Sequence, residues 1–473
     1  MNKETVRINW IGPQFAGHSL AIVNQNICRY LTENETIDLR KALPEKEMTL
    51  EQYFGADKKQ FKTFSNPDLT ISHQWPPNWL KLQNGISVYM QPWEFGAIPR
   101  EWYIPMKYWV DEIWVYSYYN KESYIRSGIP ESKIHIIPLG VDQNIFHFNV
   151  GPLQVDRNTF NFLFVGGTIG RKGIDILLQA YLAEFTADDD VCLFIKDTGT
   201  ESFYKGITLE KMIHEAMDDP ANPRIVYMDK QLTEAELAGL YKVCDCLVHP
   251  YRGEGFGLPI AEAMACGTPV IVPDSGSCLD FCTEETAFFV PSKEVDLAEK
   301  RVGNLETVDF PWWLSIEVPD LQKVMRLAYE QRKLVKEMGK KASQHILSNF
   351  TWKKSAEHVL DRVNQLAQRE LFTRTLDEEI TKVELERAKQ LYSESRSEEA
   401  LGIFLNIIAA YPSSLPARYN AAVIYLEQNN YLKSLGHLTY IATNMNEQRE
   451  GFKENIFNMM RYCYLKESES KTE

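Results

Sequence analysis

Two glutamates, Glu254 and Glu262, stand in the stretch YRGEGFGLPIAEAMACGTPVIVPDSG, which begins at Tyr251, and glycines and a proline crowd the first of them. A carboxylate accepts hydrogen bonds and donates none, so on a loop it takes hydroxyls, which a sugar or a ribose offers. Gly253, Gly255 and Gly257 let a ligand come close to the backbone and turn main-chain N–H groups towards it. Pro259 suits the first turn of a helix, where a missing N–H costs nothing. The helix then runs through IAEAMACG to Gly267, a residue suited to a C-terminal cap. Glu262 falls in its first turn, pointing back towards the cleft, and the helix start favours an anion through its dipole. The combination suits a ligand that is sugar at one end and phosphate at the other. Two solvated glutamates among turn glycines would leave so much glycine unexplained.

Such a loop has to hang from a sheet. VRINWIG, DLTISH, GISVYMQP, EIWVYS and KIHIIPLG read as strands in the first part of the chain, with a helix from about Ser19. A second series follows, FNFLFVGG, DVCLFIKD, RIVYMDK, DCLVHPY, TPVIVPD and TAFFVPS, with helices at GIDILLQAYLAEF and EAELAGLYKVC. Strands alternating with helices imply parallel sheets covered on both faces. The fold class expected is α/β: two facing Rossmann-like domains, residues 1–150 and 151–370, joined near Phe146–Asn158. Ligands in such sheets bind at the carboxyl ends of strands, so facing domains leave a cleft between those ends. From Ser292 to about Arg369 the pattern is expected to be helical.

Residues 371–473 differ in kind. ERAKQLYSESRSEEALGIFLNIIAAYP and NAAVIYLEQNNYLKSLGHLTYIA superpose at an offset of 34, with Ala388 on Ala422, Leu401 on Leu435 and Phe404 on Leu438. That is the period of helix-turn-helix tetratricopeptide repeats, and a partial third copy follows in NIFNMMRYCYL. Two repeats are too few to stand alone, so an all-α tail is expected to pack on the core or on a second copy, a route to a homo-oligomer.

A chain of 473 residues, 44% hydrophobic and 25% charged, is composed like a soluble globular protein of two or three domains. The net charge of −14 argues against nucleic acid as a partner. No apolar run is long enough for a transmembrane segment, and MNKETVRINWIGPQ lacks the apolar core of a signal peptide. The eight cysteines show no disulfide framework or metal spacing, as in a reduced cytoplasmic protein. No Asp-x-Asp metal motif appears next to the glycine-rich loops; ADDDV precedes a strand and reads as a solvated turn.

The stretch EGFGLPIAEAMACGTPVI resembles the Glu-x7-Glu signature of retaining glycosyltransferases of the GT-B fold, family 4. FVGGTIGRKGIDILLQAY, LTEAELAGLYKVCDCLVHP, EIWVYSYYNKESYIRSGI and KIHIIPLGVD have counterparts in that family as well. The resemblance implies a nucleotide-diphosphate sugar as donor substrate and no cofactor. Glu262 would hold the ribose hydroxyls, Glu254 the transferred sugar near its C3 hydroxyl, and the backbone of Gly255, Phe256, Gly257 and Leu258 the sugar and diphosphate. Charge that develops on a leaving diphosphate needs fixed cations where no metal serves. Gly166 and Gly167 end a strand, Arg171 and Lys172 precede a helix, and Lys172 matches the family's diphosphate lysine. Gly167 stands where the family carries an arginine, so Arg171 is the candidate for that work.

In the amino-terminal half, Gly17 and His18 match the family's glycine loop, with Gly17 able to approach a phosphate across the cleft. His73 follows a strand beside Trp75 and Trp79, whose aromatic faces suit either a sugar or peptide acceptor or the core. The family usually has a histidine in the next loop; MQPWEFGAIP carries Glu94 instead, which becomes the acceptor-side candidate. The expected activity is sugar transfer to a protein or glycan acceptor, with front-face attack and the leaving phosphate as base. The rival readings are a phosphorylase, for which no pyridoxal lysine or phosphate pocket shows, and a non-catalytic scaffold carrying the repeats.

Overall fold

The computed structural model describes residues 5–15, 18–42, 63–82, 84–154, 159–198, 208–368, 376–445 and 450–469. The first domain runs β1 (Val6–Ile11), α1 (Ser19–Thr32), β2 (Ile37–Ala42), β3 (Leu69–Ser72), β4 (Ile86–Met90), α2 (Arg100–Ile104), β5 (Glu112–Val115), α3 (Tyr118–Arg126) and β6 (Ile134–Ile136). Its parallel sheet has the order β2-β1-β3-β4-β5-β6. The second runs β7 (Phe160–Gly166), α4 (Ile174–Glu184), β8 (Val191–Asp197), α5 (Glu210–Asp218), β9 (Arg224–Met228), α6 (Glu234–Val243), β10 (Cys246–Val248), α7 (Leu258–Ala265), β11 (Val270–Pro273) and β12 (Ala287–Val290). Its parallel order is β12-β11-β10-β7-β8-β9. Every residue of β7 and β8 is buried, as strands covered on both faces require. The order in which the chain adds strands reverses between β1 and β3 in one sheet and between β7 and β10 in the other, while all strands stay parallel. Those two reversals open the crevices where such sheets bind ligands.

Residues 292–316 depart from the helical expectation. β13 (Ser292–Asp296) pairs antiparallel with β16 (Trp312–Ile316), enclosing the small hairpin β14 (Arg301–Val302) and β15 (Leu305–Glu306). Trp312, Leu314 and Ile316 are buried and their neighbours less so, a period of two that selects a strand. This arm reaches both domains: Trp312 N–H donates to Phe95 O at 3.1 Å and Leu314 N–H to Arg252 O at 2.7 Å. Helices α8 (Val318–Glu330), α9 (Arg332–Asn349) and α10 (Trp352–Ala367) follow, and α10 returns to pack on α1 of the first domain. There Arg362 Nε donates to buried Glu112 Oε2 at 2.8 Å.

The tail is five helices, α11 (Asp377–Ser393), α12 (Ser397–Ala410), α13 (Leu415–Glu427), α14 (Tyr431–Asn444) and α15 (Glu450–Glu469), each packed on the next. Ala388 and Ala422, related by the sequence offset, are both fully buried, as are Phe404 and Leu438. The tail docks on the first domain of its own chain. Arg100 donates to Gly402 O at 2.8 Å and Asn406 Oδ1 at 2.7 Å in the tail, and to Thr307 O at 3.0 Å beside the arm. Glu384, 1% exposed, accepts from Lys107 Nζ at 2.8 Å and from the Tyr108 hydroxyl. Lys107 and Tyr108 lie in the wide π turn Pro105–Trp109 that extends α2. Removing one partner of a buried pair strands the other charge at a cost of about 3–5 kcal/mol. Glu384→Ala should therefore lower the unfolding free energy by about 3 kcal/mol in a urea titration, against less than about 0.5 kcal/mol for the exposed Glu386→Ala.

Candidate functional site at the facing sheet ends

The loop after β7 and the loop after β10 leave their sheet at its reversal, and a charged contact ties them together. Lys172 Nζ lies 2.8 Å from Glu254 Oε1, and Arg171 Nη1 lies 3.8 Å from the same oxygen. Arg171 also donates to Gly253 O at 2.5 Å. Arg252 closes the other side of the loop with a two-pronged bond to Asp175 in the first turn of α4, both contacts at 2.7 Å. Glu254 is buried at 7% exposure. Burial opposes its ionisation, yet Lys172 and Arg171 overcome that and lower it to about 2.

Glu262 behaves in the opposite way. It sits on α7, which Gly257 opens in a left-handed conformation with φ 98°, and its Oε2 accepts from Tyr241 Oη at 2.9 Å. Glu262 lines a cavity of about 340 Å³ together with Glu234, Asp142 and, from α1 of the first domain, Arg29. Burial nevertheless raises Glu262 to about 8, with the Tyr241 bond only partly offsetting it.

The glycines of the loop serve contact between domains. A methyl on Gly253 would collide with Glu94 O, and one on Gly255 would lie 3.2 Å from Pro92 Cβ and 3.3 Å from Tyr116 Cδ2. Ser117 Oγ donates to Gly255 O at 2.9 Å across the same seam. The expectation that these glycines make room for a ligand is thus joined by a packing demand from the first domain. Phe256 turns its ring inward onto Phe281, 4.8 Å between centroids, and Leu258 is half-buried at the start of α7. Gly166 and Gly167 close β7, and a side chain on Gly166 would strike the Lys172 stem.

On the facing side, Glu94 Oε1 reaches 3.9 Å from Arg171 Nη1, so the acceptor-side candidate belongs to the same charged group. His73 lies beneath the site, fully buried. Asn24 Nδ2 donates to Pro13 O and His73 O, which fixes Asn24 Oδ1 as acceptor from His73 Nδ1 at 2.6 Å. His73 Nε2 is then the acceptor for the Tyr116 hydroxyl. Burial first, and His18 second, push His73 down to about 3, so it is a neutral support for Tyr116. His18 caps α1. Gly17 lies outside the described residues. Tyr241, Ser117, Arg252 and the buried His249 complete the site, and none of them carries a sequence spacing that announces it.

Residues 159–306 match the family model of glycosyl transferases group 1. The D-inositol 3-phosphate glycosyltransferase of Arthrobacter sp. (strain FB24) is 29% identical over 234 residues, 48% of this chain and 49% of its own. The chain spans about half the length of that relative. Sucrose-phosphate synthase from Thermosynechococcus elongatus superposes with a TM-score of 0.55 at 16% identity, over 76% of this chain and 99% of its own. HepE from Anabaena, solved in complex with UDP and glucose, gives 0.54 at 12%, over 76% and 99%. The fold is GT-B: two Rossmann-like domains whose sheet ends face each other, here with a helical region at the carboxyl end.

Among the described residues, no helix is long and apolar enough to cross a membrane and no three His, Cys, Asp or Glu side chains cluster to hold a metal ion. All eight cysteines are free and buried.

The two glutamates titrate in opposite directions from the ordinary 4.5. Stability from Glu254, about 3 kcal/mol for a shift of this size, is present above pH 4.5 and lost as pH falls towards 2. Glu262 keeps a proton that the unfolded chain releases, so its contribution falls as pH rises from 4.5 to 8. Urea unfolding across pH should show Glu262→Gln removing the alkaline decline and Glu254→Gln removing the acid one.

Proposed function

We propose that the chain is a retaining, metal-independent glycosyltransferase that moves a sugar from a nucleotide-diphosphate sugar to a protein or surface-glycan acceptor. The observation that carries this reading is the meeting of Lys172, Arg171 and Glu254 at the reversal of the second sheet, with Glu262 on the helix that follows. Two cations and the start of α7 suit a diphosphate, and a buried carboxylate held ionised suits a sugar hydroxyl. Names among the relatives, an inositol-phosphate glycosyltransferase and a protein bound to UDP and glucose, agree with such a donor.

In the reaction, the anomeric C–O bond to the diphosphate breaks as the acceptor oxygen bonds to the same face of that carbon. The acceptor's proton passes to the leaving phosphate oxygen. Lys172 and Arg171 take up the charge that grows on the diphosphate, a stabilisation that is large in a site shielded from water. Glu262 holds the ribose and Glu254 the transferred sugar. Glu94, drawn to Arg171 from the first domain, stands on the acceptor side. The tail, a tetratricopeptide-type pair of repeats seated on that domain through Arg100 and Lys107, supports a polypeptide as acceptor.

A screen of nucleotide-sugars for hydrolysis and thermal stabilisation would identify the donor. With it, Glu254→Ala should lower turnover roughly tenfold to a hundredfold, from about 1.5–3 kcal/mol per lost bond to a charged acceptor, and Glu262→Ala should weaken donor binding, most above pH 8 where Glu262 is ionised. Unchanged affinity and rate in both folded variants would remove the assignment. Transfer should persist in excess chelator; activity lost there and restored by magnesium or manganese would show a metal-dependent enzyme. Affinity for the donor should rise with pH through about 8 as Glu262 ionises, and Glu262→Gln should flatten that rise.

A further inference from the structure

His249, the residue after β10, opens the loop that carries Arg252 and Glu254, and its ring hydrogen-bonds to none of the charged side chains there. It is fully buried, its ring set 5.4 Å from Phe164 and 6.0 Å from Tyr251 between centroids. Its backbone is occupied: the N–H donates to Ile271 O at 2.9 Å and the carbonyl accepts from Tyr251 N–H at 2.9 Å. Neither ring nitrogen has a hydrogen-bond partner in another residue among those described. Buried polar groups are paired almost without exception, and an unpaired one in a functional cleft calls for a reason. Burial and then Lys172 push His249 down to about 3, with Glu254 and Arg171 the other site charges that act on it. The imidazole is therefore neutral near pH 7, with one N–H to give and one lone pair to receive.

The reason lies in what a diphosphate does to its surroundings. Lys172 and Arg171 are the cations that keep Glu254 ionised in the free protein. A diphosphate binding there draws the same two cations to itself. Glu254, at 7% exposure, would then be left as a buried carboxylate stripped of its partners. We infer that His249 is a positioning residue that takes over Glu254 when a nucleoside diphosphate draws Lys172 away, donating its ring N–H to the released carboxylate and holding it towards the sugar. This rests on the nucleotide-sugar reading above. It assigns the ion pair of the free protein to a resting state and His249 to the loaded one. No proton changes hands: the imidazole stays neutral and Glu254 stays ionised throughout.

The test is calorimetric binding of UDP, GDP, ADP and TDP to the full chain, carried on with the tightest of the four. His249→Phe keeps a buried ring against Phe164 and removes the donor; it should weaken binding at least tenfold. His249→Gln restores an N–H and should bind within threefold of the unaltered protein. In the Glu254→Gln background no buried charge has to be held, so adding His249→Phe should change affinity less than twofold. Unaltered binding by His249→Phe, or the same loss in both backgrounds, overturns the inference while leaving the nucleotide site standing. If His249→Phe does not fold, the unaltered protein labelled with 15N-histidine decides: a downfield shift of the His249 ring N–H on nucleotide addition is expected, and an unmoved signal overturns the inference. If none of the four binds at millimolar concentration, the nucleotide-sugar reading itself fails and takes the inference with it.

Discussion

The contact between Lys172 and Glu254 is the constraint on which the site's geometry turns, because it joins two loops that the chain makes far apart in sequence. β7 and β10 are neighbours in the sheet, and the chain leaves them in opposite directions. An open crevice results, and a lysine from one lip meets a carboxylate from the other. Arg171 on Gly253 O and Arg252 on Asp175 hold the lips at that spacing. Bonds to backbone carbonyls and two-pronged ion pairs define position as well as energy. The opposed tuning of Glu254 and Glu262 follows: one carboxylate lies beside two cations, and the other faces a phenol and a second acid.

The first domain completes the site by pressing on it. Glycines in the loop after β10 admit the Glu94 carbonyl and the Tyr116 ring, so the seam between domains and the glycine-rich loop are one surface. Tyr116 is held by His73, His73 by Asn24, and Asn24 also by Trp10, which carries the support down into the first sheet. The β13–β16 arm bridges the same seam from outside, and Arg100 links arm, first domain and tail at one guanidinium.

Much of this was legible in the sequence where burial writes a simple pattern. FNFLFVG and VCLFIKD are apolar almost throughout because both faces of their strands are covered, and the glycine-rich loop and its glutamates follow them at fixed places. The half-polar edge strand IDLRKA carried no such signal, since only one side of β2 is shielded. KEVDLAEK has the charge density of a solvated helix, and only pairing with WWLSI makes its first part a strand. Tyr241 and Ser117 join the site through contacts between distant segments, which no local spacing encodes. The docking of the tail was foreseeable as a need to cover a short helical region; that Lys107 meets it depends on a π turn that composition does not reveal.

The return of α10 to the first domain has a consequence for synthesis on the ribosome. Glu112 is fully buried in β5, and hydrogen bonds from Arg362 and His135 outweigh its burial to hold it at about 2. Its guanidinium partner is 250 residues downstream. At roughly 5–20 residues per second, translation delivers Arg362 on the order of ten to fifty seconds after Glu112 emerges. Through that interval the amino-terminal sheet lacks the helix that covers α1 and the cation that pairs with Glu112. The nascent domain must wait in an unfinished form until the crossing helix leaves the tunnel, and the tail helices that dock on the same domain follow later still.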